Sequence, residues 1–318
     1  MAKERKRNGR KFIIAEVFLL LIIIGSISVW FLFNDKKNKL KDDYRKIETK
    51  YGEKETELES KEKEYAEIDF RIQSYDNLDE KIAASKKEYY NNIKKLEDEI
   101  LAGTSDKKIA YITFDDGPYY NTYKVLDILD QYNVKATFFL TNINGENCFD
   151  KKSENCYALY KEYAKRGHTI ANHTYTHGIF KGLYNSPSTF IDAVSKQHEH
   201  IKEQSGGYVT NILRFPGGIP TAKAKLGSNG FEQATAKLRE MGYGWVDWTS
   251  EDGDGKDIQN KSQAWSYLTS TLNDNIEVIL FHDYNAITTN LLPEAIEYLQ
   301  NRGYILLPLF YESNMVNK

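Results

Sequence analysis

The fold of this protein is decided by residues 109–118, which read IAYITFDDGP. An apolar, β-branched run that stops at Gly117-Pro118 predicts a buried strand that ends in a turn. The last positions of this strand carry the adjacent carboxylates Asp115 and Asp116. Successive side chains of a strand point to opposite faces, so the two carboxylates can take different roles where the backbone turns. Neighbouring carboxylates raise each other's pKa unless a positive group lies beside them, so we expect cations near this strand end.

The composition divides the chain of 318 residues into two unlike parts. All six prolines, all six histidines and both cysteines lie between residues 118 and 308. This distribution predicts a helical or membrane-associated front part and a globular back part, within the one or two domains that the length allows. The formal net charge of −3 gives no general reason to expect a nucleic acid as a partner.

The first 33 residues have the pattern of a membrane anchor. Residues 1–11 contain six lysines and arginines, and residues 12–33 are almost wholly apolar. As a helix the apolar stretch would span roughly 33 Å, enough for a bilayer core of about 30 Å. A cleaved signal peptide is the alternative, but the stretch is long for a signal core and shows no convincing small-x-small cleavage site. The basic flank predicts a single-pass protein of the cell membrane, with a cytoplasmic N-terminus and an extracellular remainder.

Residues 34–103 have the pattern of a long helical stalk. Apolar residues follow a 4-3 spacing from Leu40 to Ile100 without losing frame, and charges of both signs flank them. This pattern predicts a coiled coil, which could form a homodimer, or a single long helix that pairs only weakly because its seam contains tyrosine and lysine. A disordered charged linker is the weaker alternative, because disorder needs no seam. A helical stalk would hold the following domain roughly 90 Å from the membrane.

Residues 104–318 alternate between strand-like apolar runs and amphipathic helical segments. Helices are predicted over about residues 122–132, 157–166 and 293–302, with strand-like runs between and after them. This alternation predicts βα units in a parallel sheet or barrel. In such barrels the chemistry lies at the carboxyl ends of the strands, which is where the conspicuous polar residues of this domain fall.

Two cysteines, Cys148 and Cys156, flank a predicted loop. Outside the membrane a pair at this separation could form a disulfide that closes a short loop. Two unpaired thiols are the alternative. The sequence indicates no metal site here, because no histidine lies nearby.

A pair of histidines, His173 and His177, follows a predicted strand. On a helical turn, residues i and i+4 share a face, and two imidazoles there can bind one divalent metal. Two histidines with one aspartate form a ligand set that leaves room for water. The remaining candidates are weaker: we expect His198 and His200 on a helix surface, and His168 as a structural hydrogen-bonding group.

The order and spacing of these segments resemble the polysaccharide deacetylase family (NodB homology, carbohydrate esterase family 4), from about Lys108 to Leu309. The segment TFDDG at 113–117 is similar to the family's first motif and HTYTH at 173–177 to its second. RFPGG at 214–218 is similar to the third and VILFH at 278–282 to the fifth. The resemblance implies a deformed (β/α) barrel and a hydrolase that removes acetyl groups from polysaccharides.

The family's fourth motif is only partly present. In the family a tryptophan is followed at the sixth position by an aspartate and then by a second tryptophan. Counting from Trp248 gives Asp254, but Gly255 follows it. Asp247, in the pair Asp247-Trp248, is the competing assignment. We take Asp254 as the polar partner of Arg214 or His282, and the missing tryptophan predicts a more open groove.

The resemblance implies a role for each matching residue. Asp115 would be the general base and His282 the general acid. A divalent metal, Zn²⁺ in the first place with Co²⁺ or Ni²⁺ as alternatives, would be bound by three side chains: Asp116, His173 and His177. Arg214 would orient the base and keep it ionised. The remaining predicted substrate contacts are a backbone N–H for the oxyanion, an acetyl-pocket residue and a groove wall, namely Gly217, Leu280 and Trp248.

Together these features predict a membrane-anchored, extracellular, metal-dependent N-deacetylase. The substrate expected first is N-acetylglucosamine in peptidoglycan, a cell-wall glycan. Chitooligosaccharide, poly-N-acetylglucosamine and acetylated xylan are alternatives within the same class. A non-catalytic glycan-binding scaffold is the alternative from another class, and hydrolysis of a peptide amide is a third.

Overall fold

The computed structural model describes residues 78–146, 156–208 and 210–310, with side chains from residue 87 onward. The predicted basic segment, the apolar span at 12–33 and most of the stalk lie outside these residues. Within the described part, no helix combines the length and apolar character that a membrane crossing requires.

The described residues form seven helices and eight strands, which alternate along the chain except for two short consecutive strands. The helices are α1 (Leu78–Leu101), α2 (Thr122–Gln131), α3 (Cys156–Lys165), α4 (Pro187–Ser205), α5 (Gly218–Glu240), α6 (Lys261–Thr271) and α7 (Ala286–Asn301). The strands are β1 (Lys108–Asp115), β2 (Thr137–Leu140), β3 (Thr169–Asn172), β4 (Ile212–Leu213), β5 (Gly244–Trp245), β6 (Ser250–Glu251), β7 (Ile276–His282) and β8 (Tyr304–Leu307).

All strand pairs of this sheet in the described residues are parallel, and β1 is its centre. The order is β5-β4-β3-β2-β1-β7-β6, and β8 also pairs with β1. Strand β7 runs along seven residues of β1, from Ile109 to Asp115. The predicted parallel βα architecture is confirmed, and its form is a half-barrel in which β5 and β6 end the strand order.

Strand β1 is apolar because both of its faces are covered. Seven of its eight residues are buried, and only Lys108 at its start is partly exposed. Phe114 stacks on Phe138 of β2 with ring centroids 5.0 Å apart, under the surrounding helices. The sequence of a strand that is buried on both faces is a continuous run of mainly hydrophobic residues, as in residues 109–114.

The C-terminal half of α1 packs against the half-barrel. Ile93 and Ile100 are buried there, although both belong to the predicted seam of the stalk. Glu97 is fully buried, and its carboxylate accepts a hydrogen bond from the hydroxyl of Tyr111 in β1. In this segment the apolar residues at heptad spacing therefore form the side of α1 that packs against the half-barrel.

The last long helix begins earlier than predicted. We expected it to start near Pro293, but α7 begins at Ala286 and contains Pro293 in its interior. Asn285 caps the helix by accepting a hydrogen bond from the N–H of Ile287 at 2.9 Å. The cap and the burial of neighbouring apolar residues outweigh the hydrogen bond that a proline inside a helix cannot make.

The histidines outside the predicted metal set have mixed outcomes. His168 is buried and its Nδ1 accepts a hydrogen bond from the N–H of Ala136 at 3.1 Å, so its structural role is confirmed. The prediction of a surface position was wrong for His200, which is buried beside Tyr157 and Tyr160 of α3. The cause is tertiary, because α4 turns that side of its surface toward α3.

One of the two cysteines can be placed. Cys156 is the first residue of α3, is fully buried and is disulfide-bonded. The sequence contains one other cysteine, at position 148, which lies outside the described residues.

Candidate active site

Polar residues from four strands meet at the carboxyl end of the sheet. Asp115 ends β1 and lies in register with His282, which ends β7. His173 follows β3 directly, and Arg214 follows β4 directly. The carboxyl ends of parallel strands lie at one edge, so residues far apart in sequence meet there.

The adjacent carboxylates separate because the backbone turns between them. Asp115 is still paired as a strand residue with Phe139, whereas Asp116 has a φ of 70°. Aspartate tolerates this left-handed conformation better than most residues do. The N–H of Asp116 donates to the carbonyl of Phe139 at 3.1 Å, which fixes the turn. The separation therefore comes from the turn rather than from strand alternation alone.

Three side chains converge as a candidate metal centre. Asp116 Oδ1 lies 3.5 Å from His173 Nε2 and 3.4 Å from His177 Nε2, and the possible ligand atoms all lie within 4.8 Å of one another. Asp116 Oδ1 is buried and has no hydrogen-bond partner. A buried carboxylate oxygen without a donor, facing two imidazole nitrogens, fits a divalent cation.

A backbone carbonyl orients the first of these imidazoles. His173 Nδ1 lies 2.7 Å from the carbonyl oxygen of Arg214, so this nitrogen carries the proton and donates it. Burial lowers the pKa of His173 to about 3, which keeps the ring neutral. Its Nε2 lone pair is therefore free for a metal, in the arrangement common for histidine ligands.

The histidine pair does not lie on a helical turn as predicted. Residues 173–178 form an irregular loop, in which Thr174 has a φ of 64° and His177 a φ of 46°. The N–H of Thr174 donates to the side-chain oxygen of Asn172 at 2.8 Å, an Asx-type contact that turns the chain. His173 and His177 do lie close together, as their spacing predicted, but a loop rather than a helical turn brings them there.

Asp115 forms a buried ion pair with Arg214. Arg214 Nη1 donates to Asp115 Oδ1 at 2.8 Å and to the hydroxyl oxygen of Thr113 at 2.7 Å. Arg214 Nη2 donates to the backbone carbonyl of Asp247 at 3.0 Å, and Nε donates to that of Val246 at 3.2 Å. Arg214 is fully buried, which excludes a surface ion pair.

Burial outweighs the arginine in setting the acidity of Asp115. Burial raises the pKa of Asp115 above its usual value, and the charge of Arg214 opposes this rise without cancelling it. The sequence predicts that Arg214 keeps this carboxylate ionised; the charge of Arg214 does lower the pKa of Asp115, and burial acts against it. A carboxylate with a raised pKa is a stronger base than an exposed one.

His282 is paired with Asp254. His282 Nδ1 lies 2.6 Å from Asp254 Oδ1, and the backbone N–H of His282 donates to Asp254 Oδ2 at 2.6 Å. Burial disfavours the charged imidazolium, but the Asp254 carboxylate overcomes this effect and raises the pKa of His282 to about 10. The ring therefore carries a proton at neutral pH, with Nε2 lying 3.8 Å from Asp116 Oδ2.

The competing residue Asp247 has a different position. Both of its carboxylate oxygens accept from the N–H of Ile219, at 3.1 and 3.2 Å, at the start of α5. Its backbone carbonyl accepts from Arg214. Asp247 thus supports the arginine and the helix, whereas the contact with His282 is made by Asp254.

The predicted substrate contacts lie on three segments: the start of α5, β7 and the segment between β5 and β6. Gly217 precedes α5 with a φ of 73°, and a Cβ there would lie 3.0 Å from Ile179 Cδ1. Leu280 is buried in β7, in register with Thr113. Trp248 lies in the segment between β5 and β6, where a Cβ on Gly218 would approach its ring to 3.1 Å.

Sequence reasoning missed two buried carboxylates near His282. Asp283 accepts a hydrogen bond from the hydroxyl of Thr122, and burial raises the pKa of Asp283 to about 7. Asp252 lies two residues before Asp254, and burial followed by the Asp254 charge raises the pKa of Asp252 to about 8. The only sequence signal was their adjacency to residues already singled out.

Comparison with known proteins identifies the class. A family model described as polysaccharide deacetylase matches residues 102–234. A peptidoglycan-N-acetylglucosamine deacetylase of Bacillus cereus is 30% identical over 209 residues, covering 63% of this chain and 68% of the relative. A chitin deacetylase of Colletotrichum lindemuthianum is 27% identical over 218 residues, covering 64% of this chain and 79% of the relative.

A solved structure agrees with the half-barrel. The catalytic domain of a peptidoglycan N-acetylglucosamine deacetylase from Eubacterium rectale has a TM-score of 0.59 and 33% identity, covering 68% of this chain and 97% of that chain. This chain belongs to the polysaccharide deacetylase family, as its motifs predicted. It is a deacetylase hydrolase of that family.

Proposed function

We propose that this protein is a metal-dependent, extracellular N-deacetylase that acts on N-acetylglucosamine units of peptidoglycan. The observation that carries the proposal is one largely buried cluster with three parts: the Asp116–His173–His177 set, the Asp115–Arg214 pair and the Asp254–His282 pair. Relatives named for peptidoglycan and for chitin support a polymer of N-acetylated sugars as the substrate.

The residues divide the proton transfers of amide hydrolysis between them. Asp115 accepts a proton from the attacking water, because its raised pKa makes it a base and Arg214 fixes its orientation. His282 carries a proton that its Nε2 can give to the departing amine, with Asp254 holding the ring. These two groups lie in register on adjacent strands, so both can act on one amide.

The three-residue set supplies the remaining electrostatic contribution. Asp116, His173 and His177 would bind a divalent cation, Zn²⁺ in the first place with Co²⁺ or Ni²⁺ as alternatives. Such a cation polarises a carbonyl and lowers the pKa of bound water. The backbone N–H of Gly217, at the left-handed start of α5, is the proposed additional donor to the oxyanion.

A cavity next to the metal set supports a polymeric substrate. It has a volume of about 410 Å³, and its walls include Tyr119, Ile143 and the metal-set residue His177. Phe180 lines it with 90% of its surface exposed. An exposed aromatic ring beside a reaction centre can pack against the apolar face of a neighbouring sugar.

The sequence supports an anchored enzyme. Six basic residues precede the apolar stretch 12–33, which would place the catalytic part outside the cell on a stalk that could also dimerise. Cell fractionation tests this point: the full chain should sediment with membranes, and deletion of residues 1–33 should release it. An intact chain found in the soluble fraction would contradict anchoring.

Acetate release from N-acetylglucosamine oligomers and peptidoglycan tests the activity. The chain from residue 78 to 318 should release acetate, chelation should stop the release, and added Zn²⁺ should restore it. Asp115→Asn should reduce kcat at least about 10²-fold. His173→Ala should also lower the metal content measured by elemental analysis, a readout independent of activity. Metal binding without acetate release from any glycan would favour the glycan-binding scaffold instead.

A further inference from the structure

The Asp254–His282 pair continues into a longer hydrogen-bonded chain that the proposed mechanism does not use. The hydroxyl oxygen of Thr288, on α7, lies 3.0 Å from Asp254 Oδ2 and 2.7 Å from Asp252 Oδ2. The other oxygen of Asp252 accepts from the N–H of Asp254 at 3.1 Å. Asp252 and Thr288 are fully buried, so solvent does not compete for these contacts.

The number of available hydrogen atoms determines which group donates and which accepts along this chain. A threonine hydroxyl has one hydrogen to donate, but both of its neighbours here are carboxylate oxygens. If both aspartates were ionised, one of the two short contacts would join oxygen lone pairs without a hydrogen between them. A hydrogen on Asp252 Oδ2 removes this conflict, because Asp252 then donates to Thr288 and Thr288 donates to Asp254.

The proton belongs on Asp252 rather than on Asp254. Asp254 already accepts from Nδ1 and from the backbone N–H of His282, two donors that stabilise its ionised form. Asp252 has one backbone donor and faces the Asp254 charge. The titratable groups around it are Asp254, His282 and Tyr284, and the raised pKa of Asp252, about 8, agrees with the hydrogen count.

We propose that Asp252 is a neutral carboxylic acid in the working enzyme and positions the general acid through the chain Asp252–Thr288–Asp254–His282. It is a positioning residue, because it touches neither the proposed substrate nor the metal set. The donated hydrogen bond directs Asp254 Oδ2, while Asp254 Oδ1 remains paired with the imidazole. The catalytic consequence rests on the proposed deacetylation, whereas the protonation of Asp252 does not.

If Asp252 is a neutral acid, asparagine can replace it and keep the same hydrogen bonds. In Asp252→Asn the amide oxygen can still accept from the N–H of Asp254, and the amide N–H can still donate to Thr288. We expect kcat of this variant to stay within about twofold of the original. Asp252→Ala and Thr288→Val break the chain and should lower kcat by about tenfold or more, since supporting groups of this kind contribute 10- to 100-fold.

Infrared difference spectra test the protonation without any substrate. At pH 7 the spectrum should contain the carbonyl band of a protonated carboxyl group that disappears in Asp252→Asn. This band should remain in Asp283→Asn, which removes a second nearby buried carboxyl with a raised pKa. Loss of the band would support the assignment even for a protein that released no acetate.

Two results would overturn the proposal. One is an infrared spectrum in which Asp252→Asn removes an ionised carboxylate band and no protonated one. The other is a kcat of Asp252→Asn as low as that of Asp252→Ala, with both variants folded by circular dichroism. If Asp252→Ala does not fold, Thr288→Val, which keeps the shape of the side chain, takes its place in the comparison.

Discussion

Arg214 is fully buried, and each of its guanidinium nitrogens donates to an acceptor. Its ring neighbours include Phe139, whose ring centroid lies 4.1 Å from the guanidinium carbon. A planar group with five N–H donors fits this set of acceptors, and an ammonium group with three does not. At the residue scale, the proposed base Asp115 is therefore oriented by a side chain that has no equivalent substitute.

Arg214→Lys should reduce kcat by about 10²-fold or more, because a general base contributes that much when it is correctly placed. KM should change little, since Arg214 is fully buried and contacts Asp115 rather than the proposed substrate. Steady-state kinetics on N-acetylglucosamine oligomers measures both constants, and a thermal melt checks folding. Arg239→Lys, on the exposed side of α5, is the matched control. Full activity of Arg214→Lys would show that Asp115 needs no orientation.

Phe180→Ala should weaken the use of long glycans more than that of short ones. Packing one face of a phenylalanine ring against a sugar is worth about 1 kcal/mol, or roughly fivefold in kcat/KM. The ratio of kcat/KM for a tetramer to that for a monomer should fall by this factor. Ile305→Ala, another exposed apolar residue but one that does not line the cavity, is the control. An unchanged ratio would remove Phe180 from the proposed glycan site.

At the element scale, the sheet provides the site and the loops complete it. Strands β1 and β7 place Asp115 and His282 in register, so their separation is fixed by backbone pairing. His173 and His177 depend on a loop with two left-handed residues, which Asn172 holds. The C-terminal half of helix α1 packs against the catalytic domain, although the sequence pattern assigned these residues to a separate stalk.

Ile100→Ala should destabilise the catalytic part by about 2–4 kcal/mol, because the residue is 6% exposed and its loss leaves a cavity between α1 and the sheet. Leu101→Ala changes the neighbouring residue, which is 65% exposed, and should shift stability by at most about 0.5 kcal/mol. Urea unfolding of the chain from residue 78 measures both. Equal midpoints for the two variants would contradict the packing of α1 on the half-barrel.

At the scale of the whole molecule, the site concentrates buried carboxylates around few cations. Asp115, Asp252 and Asp283 all have a raised pKa, and burial is the largest cause for each. Removing such groups from water costs free energy, which the fold must supply from the packing of its core. A bound divalent cation would offset part of this cost, so we expect metal to stabilise the protein as well as to serve its reaction.

The metal-free protein should lose stability as the pH rises from about 6.5, the usual pKa of an unperturbed histidine, to about 8. A carboxyl with a raised folded pKa binds more protons in the folded state than in the unfolded state over that window, so deprotonation favours unfolding. For Asp283 the window runs from 3.8 to about 7. Unfolding free energies measured between about pH 6.5 and 8 test this, and Asp283→Asn should flatten the dependence. A stability that rises with pH between about 6.5 and 8 would contradict the direction of these pKa shifts, whereas below 6.5 the lowered pKa of the buried His168 and His173 acts in the opposite direction.

The sequence by itself determined the family, the parallel βα order and the residues that meet at the strand ends. It could do so because an apolar run ending in TFDDG, and histidines following another strand, are local patterns. Asp254 could also be named by its spacing from Trp248, although only the contact with His282 separates it from Asp247.

Only the tertiary structure decided the protonation and the supporting groups. Burial of Asp115, the chain from Asp252 to His282 and the loop geometry at His177 depend on what packs around each residue. The same holds for the early start of α7 and the buried position of His200. Desolvation and hydrogen-bond partners come from segments distant in sequence, so local patterns carry no information about them.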